Sequence, residues 1–177
     1  MSAWTDPAAL TTGHLLTADD LNTYVRDNLS FLRTTPTAKA KRTTSQNIDF
    51  GTWTAVTLPS EDWDTDTIHS TSSNTSRLTV PTAMAGRWQF DCRLTWETNS
   101  SGDRGLAIRT NGSTQVYLSR ELASTDTHYM FSSMTLNLNA GDYAEMMVWH
   151  SGPSTGAGGL DVDAAEFTAT FAGGNPP

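Results

Sequence analysis

The chain has 177 residues, 19 of them acidic and 11 basic, giving a formal net charge of −8, with 37% hydrophobic and 17% charged residues. That balance argues against binding the nucleic-acid backbone, which normally needs a basic face, and no run approaches the ~18 apolar residues that a membrane span needs. A single cysteine, Cys92, rules out an intrachain disulfide framework. The opening Met-Ser-Ala-Trp-Thr-Asp has neither the basic start nor the apolar run of a signal peptide, so synthesis in a cytoplasm is expected. The length suits one β-sandwich with roughly 30–40 residues to spare.

Residues 1–16 are irregular, and Trp4, Leu15 and Leu16 lie in a segment too short to own a core, which suggests docking. Thr17, with Asp20 three residues on, forms a capping-box start for an amphipathic helix over Thr17–Leu32. Leu21, Val25, Asn28 and Leu32 form one seam, widened by Tyr24, Leu29 and Phe31. The seam has two readings, packing on its own head domain or against a copy or partner. Residues 34–42, with Pro36 and the Lys39/Lys41/Arg42 cluster, read as a linker, which favours the second.

Beyond residue 43 no helix is expected. Strands are predicted at 45–50, 52–58, 76–80, 87–96, 104–110, 114–120, 129–138, 143–150 and 160–171. Alternation is clearest in Trp88, Phe90, Cys92, Leu94 and Trp96, and again in Met130, Ser132, Met134, Leu136 and Leu138. Asn111-Gly112 marks a hairpin. Many short strands with closely spaced turns indicate an all-β sandwich or jelly roll. The expected organisation is an attachment segment (1–33), a linker (34–42), a head domain (43–172) with a flexible loop at 151–159, and a flexible tail (173–177).

Few residues form a constellation with chemistry. Asp62, Asp64 and Asp66 alternate, a weak candidate for a calcium site, but the glycine and glutamate that a calcium loop needs are replaced by Thr67 and Ser73. His14, His69, His128 and His150 have no metal-ligand spacing. Cys92 falls on an apolar strand face, as a buried thiol would. No nucleophile elbow, phosphate loop or dinucleotide fingerprint occurs, and no cofactor is expected. Glu61, Glu97, Glu121, Glu145 and Glu166 cannot be paired across a cleft from sequence. Among the tryptophans, Trp88, Trp96 and Trp149 read as core, whereas Trp53 and Trp63 are candidates for facing a sugar ligand.

The order of motifs carries a resemblance. Arg77-Leu-Thr-Val-Pro81 leads through Ala85-Gly86-Arg-Trp-Gln-Phe90 into a long strand. Leu106-Ala-Ile-Arg-Thr-Asn-Gly112, Leu136-Asn-Leu-Asn-Ala-Gly-Asp-Tyr143 and Glu166-Phe-Thr-Ala-Thr-Phe171 follow. Over about 43–171 this resembles the jelly-roll head of the complement-component and tumour-necrosis-factor superfamily. It departs in the longer turn at Met84-Ala85 and in lacking a collagen-like repeat before the head. The segment from Trp4 through Gly13 to Leu32 resembles the opening of small structural proteins of tailed bacteriophages. Together the resemblances imply a non-enzymatic homotrimer on a virion surface. Trp4, Leu15, Leu16, Leu21, Val25 and Leu32 would attach it to capsid or tail proteins, as a capsid decoration, head fibre or small spike. The alternatives are a tail-associated adhesin binding a host surface glycan, a carbohydrate-active jelly-roll enzyme, and a secreted signalling ligand. The last is opposed by the missing export signal and disulfides.

Overall fold

Thr17 starts the helical region as expected. Its side chain accepts the Asp20 N–H at 3.1 Å, while the Asp20 carboxylate accepts the Thr17 N–H at 2.9 Å, a complete capping box. The computed structural model describes residues 4–152 and 159–174, in two units, Met1–Pro36 and Thr37–Pro177.

In the first unit the expected single helix is three pieces: α1 (Ala18–Leu21), a π-helical stretch (Asn22–Asp27) and α2 (Asn28–Arg33). The wider π turn shifts the phase of the residues after it, and this corrects the continuous seam. Asn28 is buried, its side chain accepting from Thr5 N–H (3.0 Å) and donating to Thr5 O (2.8 Å) and Tyr24 O (3.2 Å). Phe31 is also buried, with Trp4 edge-on to it at 6.5 Å.

The second unit is all-β. Its described residues form eleven strands: β1 (Thr37–Arg42), β2 (Gln46–Ile48), β3 (Thr54–Ala55), β4 (Ser60–Asp64), β5 (Arg77–Thr79), β6 (Gly86–Trp96), β7 (Asp103–Thr110), β8 (Thr114–Leu122), β9 (His128–Leu138), β10 (Tyr143–His150) and β11 (Leu160–Gly174). Sheet A has the order β4-β1-β11-β6-β9 with β2 also on β11. Sheet B has β3-β10-β7-β8 with β5 also on β10. Every pairing is antiparallel. From β6 onward the chain crosses from sheet A to the β7–β8 hairpin of sheet B, back to β9, over to β10 and back to β11, which makes a jelly roll. Asn111 and Gly112, at φ of 51° and 70°, supply the left-handed pair that the β7–β8 turn requires.

The core lies between the sheets. β6 turns Trp88, Phe90, Cys92, Leu94 and Trp96 inward and leaves Arg87, Asp91 and Arg93 exposed, the alternation the sequence predicts. Phe90 stacks on Phe167 of β11 at 5.6 Å, and Leu106, Ile108, Met146 and Val148 close the core from sheet B. Trp88 donates its indole N–H to Met84 O at 3.1 Å, so the large ring buries no unpaired donor.

Two boundaries differ from those the sequence predicts. The expected linker 34–42 largely belongs to the sandwich: Thr37–Arg42 is β1, wedged between β11 and β4, with Ala38 and Ala40 fully buried. The alternation Ala-in, Lys-out is regular there, but neither residue type favours strands. The expected tail begins too early, because Gly173 and Gly174 still pair with Arg87 and Gly86. Residues 175–177, and 153–158 of the expected loop, lie outside the described residues.

Candidate functional site

The first unit leaves its aliphatic side chains in solvent. Leu15 is 85% exposed, Leu32 61%, and Leu16, Leu21 and Val25 about half. Trp4 is partly turned back on Phe31, with its indole N–H donated to Asp6 at 2.8 Å. Of the six expected attachment residues, therefore, five present apolar surface and Trp4 is divided between its own unit and solvent.

Sheet A presents a second surface. Residues of β1, β4, β6 and β11 that point away from the core make a row of alternating charge. Lys41 bonds to Asp62, and Asp62 lies 3.2 Å from Lys39. Lys39 lies 3.1 Å from Glu166, and Glu166 3.7 Å from Arg93. Lys41, and then Lys39, hold the Asp62 carboxyl below the usual carboxylate range. Glu166 is the main cause that raises Lys39. The aromatics stand at the two edges of this face. Trp63, 45% exposed, sits on β4 with the Lys39 ammonium 5.6 Å from its ring. Tyr129 and Phe131, 53% and 61% exposed, sit on β9, with the Arg93 guanidinium 5.6 Å from Phe131. A hollow of about 320 Å³ lies between Arg93, Phe131, Ser133, Glu166 and Thr168. The exposed pair on β9 is masked in the sequence by the Met/Leu set that alternates with it along the strand.

The acidic trio does not converge. Asp62 is taken up by the two lysines, whereas Asp64 accepts the backbone N–H groups of Asp66 (3.0 Å), Ile68 (3.0 Å) and His69 (2.8 Å). Asp66 accepts from the Thr65 hydroxyl at 2.8 Å. Asp64 thus organises a turn. Among the described residues no group of three or more His, Cys, Asp or Glu side chains is placed to hold a metal ion.

Sheet B's outer face holds Trp53, half-buried, stacked on Trp149 at 6.2 Å and 26°. Gly105 of β7 makes room for it, since a Cβ there would lie 2.9 Å from the Trp53 ring. Trp149, expected in the core, instead faces outward under the Arg120 guanidinium, 5.2 Å from its ring. The alternation along β10 puts Met146, Val148 and His150 inside and so turns Trp149 out.

Three of the histidines each face a single carboxylate. His69 faces Glu61 at 3.3 Å, and His128 faces Glu121 at 3.2 Å. His14 faces Asp20 at 3.3 Å. His150 is buried between Ile48 O (2.8 Å) and Gly152 O (2.7 Å), edge-on to Trp96. Arg104, fully buried beside Trp96, donates to the carbonyls of Asn99, Ser101 and Asp103, and burial pushes it below the usual guanidinium range. Sequence reasoning gave no sign of this plug, because an arginine in a strand ordinarily points to solvent.

No family model matches the chain, and no curated protein matches it in sequence. Solved structures do match. The globular domain of the zebrafish complement 1qA protein aligns over 79% of this chain and 99% of its own, with a TM-score of 0.59 and 15% identity. The PRD1 vertex protein P5 aligns over 78% and 98%, with a TM-score of 0.61 and 16% identity. Murine APRIL aligns over 76% and 98%, with a TM-score of 0.53 and 11% identity. At these identities the likeness establishes the fold, a jelly roll of the complement 1q and tumour-necrosis-factor type.

Proposed function

We propose that this chain is a non-enzymatic structural protein displayed on a phage virion surface as a homotrimer, with its first 36 residues attached to a capsid or tail protein. The observation that carries the proposal is the division of labour between the two units. One is a complete sandwich; the other is a short helical segment whose aliphatic side chains are mostly exposed. Fully covering a leucine contributes about 1.5–3 kcal/mol. A partner that covers Leu15, Leu16, Leu21, Val25 and Leu32 therefore gains on the order of 5–10 kcal/mol before the costs of association. The likeness to a vertex protein of PRD1 supports a place on a particle.

Self-association is assigned to the outer face of sheet A. There the exposed Tyr129 and Phe131 border a row of charges that alternates in sign. A neighbouring copy turned about a three-fold axis would lay its aromatic edge against this face and find charges of both signs to pair with. Light scattering on residues 37–177 tests it: three times the chain mass is expected, and Phe131→Asp should reduce it to one. A monomer at micromolar concentration would refute the trimer.

A further inference from the structure

A cleft of about 480 Å³ lies on the outer side of sheet B, at its β5 edge, roofed by the loop that joins β4 to β5. Arg77 and Thr79 of β5, Tyr143 of β10 and Gly141 form one wall, and Thr67, Ser70, Ser73 and Asn74 of the loop form the other. We propose that this cleft binds a sugar residue bearing a carboxylate, of the uronic or sialic acid class, with Arg77 taking the carboxylate and the loop hydroxyls taking the sugar hydroxyls.

Arg77 is set for that role. Its guanidinium carbon lies over the Tyr143 ring, 4.0 Å from the centroid, and it meets Glu145 through Nε at 3.6 Å. Among the described residues no acceptor stands within hydrogen-bond distance of its terminal nitrogens. Glu145, nearly buried, is already satisfied by Arg109 (2.8 and 3.1 Å) and the Ser76 hydroxyl (2.8 Å). Two guanidiniums thus share one carboxylate, and a positive charge is left at the cleft of a chain whose net charge is −8. A guanidinium fork matches a carboxylate in two parallel bonds, which a lysine does not.

The opposite wall is held in place from below. Asp64 accepts three backbone N–H groups of the loop. Ile68 and His69 are buried, and His69 reaches Glu61 and Thr75 O. Thr79 N–H bonds to Ile68 O at 2.7 Å, joining the loop to the wall across the cleft. Thr67 lines the cleft at φ 58°, a left-handed conformation that a β-branched residue rarely adopts and that collects at ligand sites. A wall of hydroxyls facing a cation over an aromatic ring, with Ile68 and the Tyr143 ring as apolar floor for a sugar face, has the composition of an acidic-sugar site.

The test is saturation-transfer NMR on the full chain with glucuronate, glucose and inorganic phosphate as probes. Glucuronate is expected to bind in the millimolar range and glucose about tenfold more weakly, the worth of one charged hydrogen-bond pair. R77K, which keeps the charge near Glu145, should weaken glucuronate about tenfold. S73L, an exposed substitution at the rim, should abolish it by filling the cleft. Melting curves of both variants check that they fold, and if R77K does not, S73L decides. Equal binding of glucose and glucuronate, displacement of glucuronate by phosphate at equal concentration, no response to S73L, or no binding would each overturn the assignment. The proposal stands apart from the trimer and the attachment, which light scattering and particle incorporation read without any sugar.

Discussion

Beginning the chain at Thr43 instead of Thr37 should unfold the head. The shorter protein loses only six more residues, all of which the sequence presents as a linker. In the sandwich, however, they are β1, registered over six residues with β11 and over four with β4. At about 1 kcal/mol net per ladder hydrogen bond, losing even half of those pairings costs about 5 kcal/mol. Ala38 and Ala40 leave the core as well, and Arg42 no longer donates to Thr44 O and Ser45 O in the turn into β2, or to Thr57 O beyond β3. Stabilities of single domains run at about 5–15 kcal/mol, so this one change consumes the lower end of the range. Circular dichroism melts of residues 37–177 and 43–177 give the answer. The first should melt cooperatively; the second should lack a transition or melt at least about 15 °C lower, the shift expected for several kcal/mol in a domain of this size. If the two melt within a few degrees, β1 is dispensable and its place in sheet A is wrong.

Val25→Asp, at a half-exposed position of the first unit, should leave the melting temperature of the full chain unchanged and abolish attachment to the particle; a lowered melting temperature with attachment intact would return that helix face to its own chain. Cys92 is buried and its thiol is pushed well above the usual range, first by burial and then by the Asp91 charge, so it should resist thiol reagents in the native protein and react on unfolding. Fast native-state labelling would contradict that placement. Asp62 is held below its ordinary value of 3.8 by Lys41 and Lys39, so its contribution to stability is present above that value and is lost as pH falls through the lower folded value. Asp62→Asn should accordingly flatten the acid side of the stability–pH curve of residues 37–177, and high salt should shrink the difference. An unchanged acid side would remove the lysine pairing.

The parts of the fold that were legible are those in which side-chain type and period agree. β6 alternates Trp, Phe, Cys, Leu and Trp against charged and polar residues, and Asn111-Gly112 sits where a left-handed pair is needed. The Thr17/Asp20 capping box is likewise local. β1 and β4 were hidden for the opposite reason. β1 buries only alanines, and β4, at an edge of sheet A, carries Glu61, Asp62 and Asp64, the kind of charge that discourages edge-to-edge pairing. The candidate sites were less legible still. Asp62, Asp64 and Asp66 look like one cluster in sequence, but one faces the lysines of β1 and another caps a loop. The Arg77 cleft joins residues more than sixty positions apart, and only the pairing of β5 with β10 brings Arg77 opposite Glu145 and Thr79 opposite Tyr143. Such a register is a property of the whole sandwich and leaves no local pattern.

Attachment through the first unit is tested most directly by imaging virions assembled with the full chain and with residues 37–177 alone, by electron cryomicroscopy. The account predicts three-fold density for the head on particles made with the full chain, and bare positions on particles made with the truncated protein, although that protein is folded and trimeric in solution. Truncated protein present on particles at the same occupancy would contradict it.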